Sequence, residues 1–148
     1  MQTKVLASSL ARYHGTRDPV RIAKALGYIL IDTPLEGVRG YYQYTHRCHI
    51  IYVDNGLPRR ERCWVCAHEL GHALLHKGVN RIFLDTHTNM VTSRFERDAD
   101  RFAADLLFDD YDLQDFLGYS ISTVADCLGI SYELAEYRMG SVSLCLFS

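Results

Sequence analysis

The sequence lacks the features that would assign it to a membrane, secreted or nucleic-acid-binding class. Lysine and arginine number 16 and aspartate and glutamate 18, a formal net charge of −2, so the basic excess typical of nucleic-acid binding is absent. No apolar run approaches the roughly 20 residues of a membrane-spanning helix. The first residues also lack the apolar core of a secretory signal peptide. We therefore expect a cytoplasmic protein that contacts neither membrane nor nucleic acid directly.

The cysteines show no sign of a disulfide framework. There are five, an odd number, which suits thiols in a reducing compartment. Cys63 and Cys66 form one C-x-x-C, but no second pair completes a zinc site, and no strand directly precedes it as a thioredoxin-like motif would require. We interpret these two residues as buried thiols of a helix.

The composition is that of an ordinary globular domain. Hydrophobic residues make up 48% of the chain and charged residues 23%, and 148 residues are enough to bury a substantial core. The chain contains no internal repeat, low-complexity stretch or linker. We expect a single domain, 1–148, in which residues 112–140 form a helical subregion.

One five-residue stretch, His68-Glu69-Leu70-Gly71-His72, has the pattern H-E-x-x-H inside a run with helical periodicity. Two histidines four apart on a helix lie about 40° apart around its axis and project from one face. Neutral imidazoles at that spacing can bind one divalent ion, and Glu69 is placed to hold the water that the ion activates. The pattern predicts a metal site with a general base beside it.

The residues around this motif predict an α+β fold. Runs of β-branched and aromatic residues precede it and predict about three strands, the last two in a hairpin, at 28–31, 41–44 and 48–53. Apolar residues on most sides of the motif predict a buried helix, and Gly71 in its interior indicates that another segment packs close to the backbone. We expect a small, mainly antiparallel three-stranded sheet packed on a central zinc-binding helix.

The second half of the chain is predicted to be mostly helical. Residues 79–93 are predicted to be mainly loop, and a strong helix then begins where Ser93 and Glu96 form a capping box. Shorter helices are predicted near 112–117, 121–128 and 131–139.

A catalytic zinc site needs a third protein ligand. His76 repeats the four-residue spacing, but it is about 12 Å along a straight helix from His68, too far for both rings to reach one ion. Among the acidic residues, Asp85 falls in a predicted loop and Asp98 on another side of its helix. Glu96 and Asp100 are one turn apart on one side, so Glu96 is favoured as the ligand. A second carboxylate can accept a hydrogen bond from the outer nitrogen of a ligating histidine.

The two motifs together resemble the ImmA/IrrE family of bacterial and phage metallopeptidases, and the resemblance covers roughly residues 18 to 140. It rests on residues 68–76, HELGHALLH, and 96–107, ERDADRFAADLL. It implies a gluzincin-like zinc site in which zinc is bound by His68, His72 and Glu96. It also implies that Glu69 is the general base and that Asp100 is a partner of a zinc histidine. Family members cleave helix-turn-helix transcriptional repressors of mobile elements, so the implied partner is such a repressor.

Two other functions stay open. The chain can instead be a metal-stabilised interaction module that inactivates a repressor by binding without cutting it, or a component of a toxin–antitoxin pair. Glu69 favours the enzyme, because a purely structural metal site needs no general base. For Glu96 the alternative is a helix-capping role alone, and for the motif it is a buried helix with coincidental polar residues.

Several other residues have more than one interpretation. Residues 120–138 look like a helix-turn-helix, but their acidic charges suit phosphates poorly, so we interpret them as a structural helical pair, or else as a docking surface for the repressor. A donor for the developing oxyanion is left open among Tyr41, Tyr42, Tyr44, His46, His49 and His87. The histidines outside the motif are expected to be surface or structural residues: His14, His46, His49, His76 and His87.

Overall fold

The computed structural model describes residues 3–76 and 89–143. The chain divides into two compact units, residues 1–107 and 108–148, and the H-E-x-x-H motif lies in the first. The single-domain organisation stays a prediction. Within the described ranges, each helix is too short or too polar to cross a membrane.

The first unit begins with two helices, α1 (Thr3–His14) and α2 (Pro19–Ala25). Asp18 caps α2, because its carboxylate accepts a hydrogen bond from the backbone N–H of Val20, and Pro19 stands in the first turn where its missing N–H costs nothing. Three strands and two long helices follow: β1 (Ile29–Thr33), β2 (Gly40–Thr45), β3 (Cys48–Asp54), α3 (Arg59–Leu75) and α4 (Asn89–Leu107).

The sheet has the order β1-β3-β2 and is mixed. β2 and β3 form the expected antiparallel hairpin, whose two turn residues, His46 and Arg47, both have positive φ. β1 pairs with β3 in parallel, because residues 34–39 carry the chain to the far side of β3 before β2 begins. The α+β class and the three strands are confirmed, whereas antiparallel pairing accounts for one of the two strand pairs rather than most of the sheet.

α3 is the central helix of this unit, in contact with α2, the sheet and α4. Gly40 in β2 lies directly over the Val65 side chain. On the other side, a Cβ on Gly71 would lie 3.0 Å from Cδ1 of Phe102 and 3.3 Å from Cα of Ala99, both in α4. The sequence predicts that some segment packs close to the backbone at Gly71, and the structure identifies that segment as α4.

The start of α4 differs from the prediction. α4 begins at Asn89, so Ser93 lies inside the helix rather than at its N-cap, and residues 89–93 are helix rather than loop. Once a helix has formed, each residue added to it gains a backbone hydrogen bond. This gain favours extension of α4 past the predicted capping box at Ser93 and Glu96. Residues 77–88, with the rest of the predicted loop and Asp85, lie outside the described residues.

The second unit is helical, as expected for this half of the chain. Its elements are α5 (Asp110–Leu113), a 3-10 turn (Gln114–Phe116), α6 (Ile121–Leu128) and α7 (Tyr132–Gly140). Ser120 and Ser131 cap α6 and α7, and Gly129 takes the left-handed conformation between them. The fully buried Arg138 donates to the carbonyl of Phe108 and to Asp110, each at 2.6 Å.

Candidate metal centre

Three side chains from two helices converge in the first unit. α3 presents His68 and His72 from one face, and α4 presents Glu96 opposite them. Nε2 of His68 lies 3.1 Å from Nε2 of His72. The Glu96 carboxylate spans both rings, with one oxygen 3.0 Å from Nε2 of His68 and the other 3.0 Å from Nε2 of His72. Within the described ranges, no other His, Cys, Asp or Glu cluster could hold a metal ion.

The donor set fits a zinc ion. Two imidazole nitrogens and one carboxylate oxygen are ligands that zinc takes in catalytic sites, where a fourth position stays open. Ligand atoms about 2.0–2.1 Å from a tetrahedral metal lie roughly 3.3–3.4 Å from one another. The observed separations of 3.0 and 3.1 Å are close to that value.

Asp100 holds the outer nitrogen of His68. Its Oδ1 lies 2.8 Å from Nδ1 of His68 and, as a carboxylate, it accepts the proton there; in the neutral ring, Nε2 then has its lone pair toward the site. Burial by itself lowers the pKa of His68, but the hydrogen bonds to Asp100 and Glu96 outweigh it and raise the pKa to about 9. Hydrogen bonds from His68 and His72 to the Glu96 carboxylate hold the pKa of Glu96 well below its usual range.

Glu69 is almost fully buried, with 3% of its surface exposed. Its position on α3 is about 60° around the helix axis from His72, so the carboxyl group belongs to the same side of the helix as the histidine pair. The structure thus brings together His68, His72, Glu96 and Asp100 by direct contact, with Glu69 beside them in the helix. Their roles in binding and catalysis stay predictions.

His76 has a place in the site that the sequence pattern does not reveal. It caps the C-terminus of α3, and its side chain is only 6% exposed. Nδ1 of His76 lies 3.0 Å from Nδ1 of His72, the outer nitrogen of that ring. Asp98, on a different side of α4 from Glu96, has Oδ2 3.7 Å from Nε2 of His76. Burial and the neighbouring His72 lower the pKa of His76, against the effect of Asp98.

The sequence holds one signal for His76, which is the third histidine in a row at four-residue spacing, after His68 and His72. That spacing is no help for direct ligation by one ion, but it does bring adjacent rings into contact. The centroids of His72 and His76 are 5.1 Å apart, and His76 packs on Phe95 with centroids 4.2 Å apart.

The candidate oxyanion donors of β2 lie on two different faces of the sheet. Gly40, Tyr42 and Tyr44 alternate onto the face that packs on α3, whereas Tyr41 lies on the opposite face and stacks on Tyr52. His46 lies in the turn between β2 and β3. His87 lies outside the described residues.

Tyr42 and His49 form a pair on the α3-facing side. The Tyr42 hydroxyl is 2.5 Å from Nδ1 of His49, and the His49 ring stacks on Tyr28 with centroids 4.6 Å apart. Burial, and after it the nearby Tyr28 and Tyr44 hydroxyls, raise the pKa of Tyr42 to about 12. Tyr42 is therefore a neutral hydrogen-bond donor throughout the physiological pH range.

The C-x-x-C residues are free thiols of α3, Cys66 buried and Cys63 half-buried. Burial, with smaller contributions from neighbouring Cys63 and acidic groups, raises the pKa of Cys66 to about 12. A thiol with so high a pKa is a poor nucleophile, which agrees with a packing role.

Comparison with known proteins gives a consistent result. A peptidase M78 family model, described as an IrrE N-terminal-like domain, matches residues 23–140. An "uncharacterized immunity region protein 2" of Bacillus phage phi105 is 29% identical over 138 residues, which cover 91% of this chain and 87% of the phage protein. The metallopeptidase ImmA of Bacillus subtilis (strain 168) is 24% identical over 140 residues, 90% of this chain and 82% of ImmA.

Proposed function

This chain belongs to the IrrE N-terminal-like family of metallopeptidases, and we propose that it is a zinc-dependent endopeptidase that cleaves a helix-turn-helix transcriptional repressor in the cytoplasm. The observation that carries the proposal is the convergence of His68, His72 and Glu96 within hydrogen-bonding distance of one another. The buried Glu69 on the same helix supports hydrolysis rather than a structural metal site.

His68, His72 and Glu96 would hold the zinc ion. When bound in such a site, zinc supplies Lewis acidity toward water and toward the oxygen of a peptide carbonyl. Asp100 keeps Nδ1 of His68 protonated, so that Nε2 presents its lone pair. Glu96 brings a negative charge that offsets part of the charge of the cation.

Glu69 would act as the general base and then as the acid. Its carboxylate takes a proton from water as the water oxygen bonds to the peptide carbonyl carbon. The same proton then passes to the amine nitrogen as the carbon–nitrogen bond breaks, so Glu69 ends the cycle as a carboxylate. A new carboxyl terminus and a new amino terminus are the products.

The free edge of β2 would bind the substrate as an added strand. β2 stands at one end of the order β1-β3-β2, and its outer edge is unpaired within the described part of the chain. Main-chain hydrogen bonds along such an edge give affinity with little sequence preference. A repressor segment in extended form would then lie beside the face that packs on α3.

Tyr42 is the donor we propose for the developing oxyanion. The short connection 55–58 between β3 and α3 favours an α3 that runs antiparallel to β3 and so parallel to β2. Gly40 lies over Val65, and the advance from Gly40 to Tyr42 is about 7 Å. With that direction, the advance of about 6 Å from Val65 to Glu69 would bring Tyr42 level with Glu69.

The test of the function is a Glu69→Gln variant, assayed for zinc content and for cleavage of a candidate repressor. We expect zinc to be retained and cleavage to be lost, because the amide keeps the size of the side chain but cannot take the proton. Glu61→Gln, an exposed residue in the first turn of α3, is the matched control and should cleave normally. Undiminished cleavage by Glu69→Gln would remove Glu69 from the chemistry.

Mass spectrometry of the repressor after incubation separates the enzyme from a binding module. Discrete fragments that disappear with a chelator and return with zinc support the peptidase. An intact repressor in a stable complex supports inactivation by binding alone.

A further inference from the structure

We infer that His76 and Asp98 form a positioning chain that holds His72 in the tautomer required for metal binding. The inference rests on the proposed function only in taking His72 as a metal ligand. It assigns to His76 a role other than ligation, and to Asp98 a role separate from that of Asp100.

The contact between His72 and His76 constrains where protons lie. Their Nδ1 atoms are 3.0 Å apart, so one nitrogen must carry a proton and the other must offer a lone pair. If His72 donates, its Nε2 has the lone pair and faces His68 and Glu96, ready for a metal. If His76 donates, the proton of neutral His72 is on Nε2, where it blocks the metal.

Asp98 selects the first arrangement. Its Oδ2 lies 3.7 Å from Nε2 of His76, which is an electrostatic contact rather than a hydrogen bond. A carboxylate favours a proton on the nitrogen that faces it, so neutral His76 carries its proton on Nε2 and presents a lone pair at Nδ1. His72 can then donate from Nδ1, as it must when its Nε2 binds the metal; without a metal, the Glu96 carboxylate 3.0 Å from Nε2 favours a proton there instead.

The position of His76 is fixed by packing as well as by the helix end. Its backbone N–H donates to the carbonyl of His72 at 3.0 Å, and its ring packs on Phe95. Phe95 and Asp98 are three residues apart on α4, so one face of that helix holds His76. Glu96 and Asp100, four residues apart, form the neighbouring face, which contacts the two site histidines.

The two ligand histidines are therefore held alike at their outer nitrogens. Asp100 accepts from Nδ1 of His68 directly, whereas His72 reaches a carboxylate through the His76 ring. Both arrangements fix the ring orientation and offer an acceptor for the proton that Nδ1 carries when Nε2 binds a metal, which reduces the cost of ordering the site.

Zinc affinity of the full chain, measured by competition with a chromophoric chelator, tests the inference without any substrate. His76→Phe keeps an aromatic ring against Phe95 but removes the acceptor, and we expect zinc binding about 10- to 100-fold weaker. His76→Gln restores an acceptor oxygen and should recover most of the affinity. His14→Phe, at the C-terminus of α1, is the matched control and should bind zinc like the unaltered chain.

The hydrogen bond from Nδ1 of His72 is visible in the ¹⁵N spectrum of histidine-labelled, zinc-loaded protein, because zinc on Nε2 leaves the ring proton on Nδ1. We expect a His72 N–H signal that exchanges slowly with water in the unaltered chain and in His76→Gln, and a shifted signal that exchanges faster in His76→Phe. Circular dichroism of each variant reports folding. A role in packing alone would lower thermal stability without changing this signal.

Three outcomes would overturn the inference. Zinc affinity of folded His76→Phe within about threefold of the control would show that His76 does not position His72. Unchanged His72 ¹⁵N signals would show the same. X-ray absorption with one imidazole fewer at the metal in His76→Phe would make His76 a ligand. A chain that binds zinc as expected but cleaves no repressor would contradict the proposed function and leave this inference standing.

Discussion

The ring of Phe102 lies against the backbone of Gly71, so close that a Cβ on Gly71 would come within 3.0 Å of Cδ1. Gly71 is the residue before His72, and Phe102 is two residues after Asp100 on the facing helix. The separation of α3 and α4 at this point therefore determines whether the carboxylates of α4 reach the imidazoles of α3.

Gly71→Ala should destabilise the protein and weaken zinc binding together. Alanine gains about 1 kcal/mol of helix propensity, but overpacking a well-filled contact costs about 1–3 kcal/mol. The Ala99 Cα, 3.3 Å from the added methyl, belongs to the backbone and can yield only if α4 moves. Chemical denaturation with and without zinc measures both effects.

Gly140→Ala is the matched control for that substitution, because among the described residues the added methyl in α7 meets no atom within 4 Å apart from its own helix backbone and chain neighbours. It should leave zinc affinity unchanged and stability equal or slightly higher. If Gly71→Ala behaved in the same way, the close packing of α3 and α4 would have no part in the geometry of the site.

Asp100→Ala should weaken zinc binding about 10- to 100-fold while leaving the fold intact. The carboxylate accepts from Nδ1 of His68 at 2.8 Å, and its side chain is 45% exposed, so its loss affects ring orientation more than packing. Competition with a chelator measures the change. Asp115→Ala, an exposed residue of the second unit, is the control, and equal affinity in both variants would contradict the role of Asp100.

The sequence predicts which of the proposed ligands share a helix face, because that depends on helix periodicity alone. His68 and His72 share a face of α3, and Glu96 and Asp100 share a face of α4, whatever the tertiary structure. The parallel pairing of β1 with β3 was not predicted, because it depends on contacts between residues distant in the sequence. The start of α4 at Asn89 was not predicted, because the helix extends past the capping box at Ser93. The packing of His76 against Phe95 and its approach to Asp98 could not be predicted either, because both residues reach His76 only once α4 has packed on α3.

Cys66 should resist alkylation in the folded protein at pH 8.5, whereas the exposed Cys127 should react readily. Burial raises the pKa of the Cys66 thiol to about 12, so it stays protonated at a pH where an ordinary thiol is partly ionised. Peptide mapping by mass spectrometry after iodoacetamide treatment reads each site. Denaturant should expose Cys66 to the reagent.

The raised pKa of Cys66 also determines how folding stability changes with pH. The thiol loses its proton more easily in the unfolded chain, where its pKa is near 9, than in the folded one. The contribution of neutral Cys66 is therefore present below pH 9 and is lost progressively as the pH rises from 9 toward 12. Cys66→Ala should flatten that part of the stability–pH curve, and rapid labelling of native Cys66 would contradict the assignment.

Tyr42→Phe should lower kcat for repressor cleavage by about 100-fold with little change in zinc affinity, because it removes one oxyanion donor and no proposed metal ligand. The hydroxyl contacts His49 rather than the site histidines, so the loss should appear in the chemical step and not in metal loading. Single-turnover cleavage measures that step apart from substrate binding.

Tyr41→Phe supplies the control, since Tyr41 is the preceding residue of the same strand but lies on the face away from α3, stacked on Tyr52. Its cleavage rate should match that of the unaltered chain. A higher KM for Tyr42→Phe, with kcat unchanged, would assign Tyr42 to substrate binding along β2. Equal rates for both variants would remove the hydroxyl from the reaction and direct attention to His49, which shares that face of the sheet and would then be the next residue to substitute.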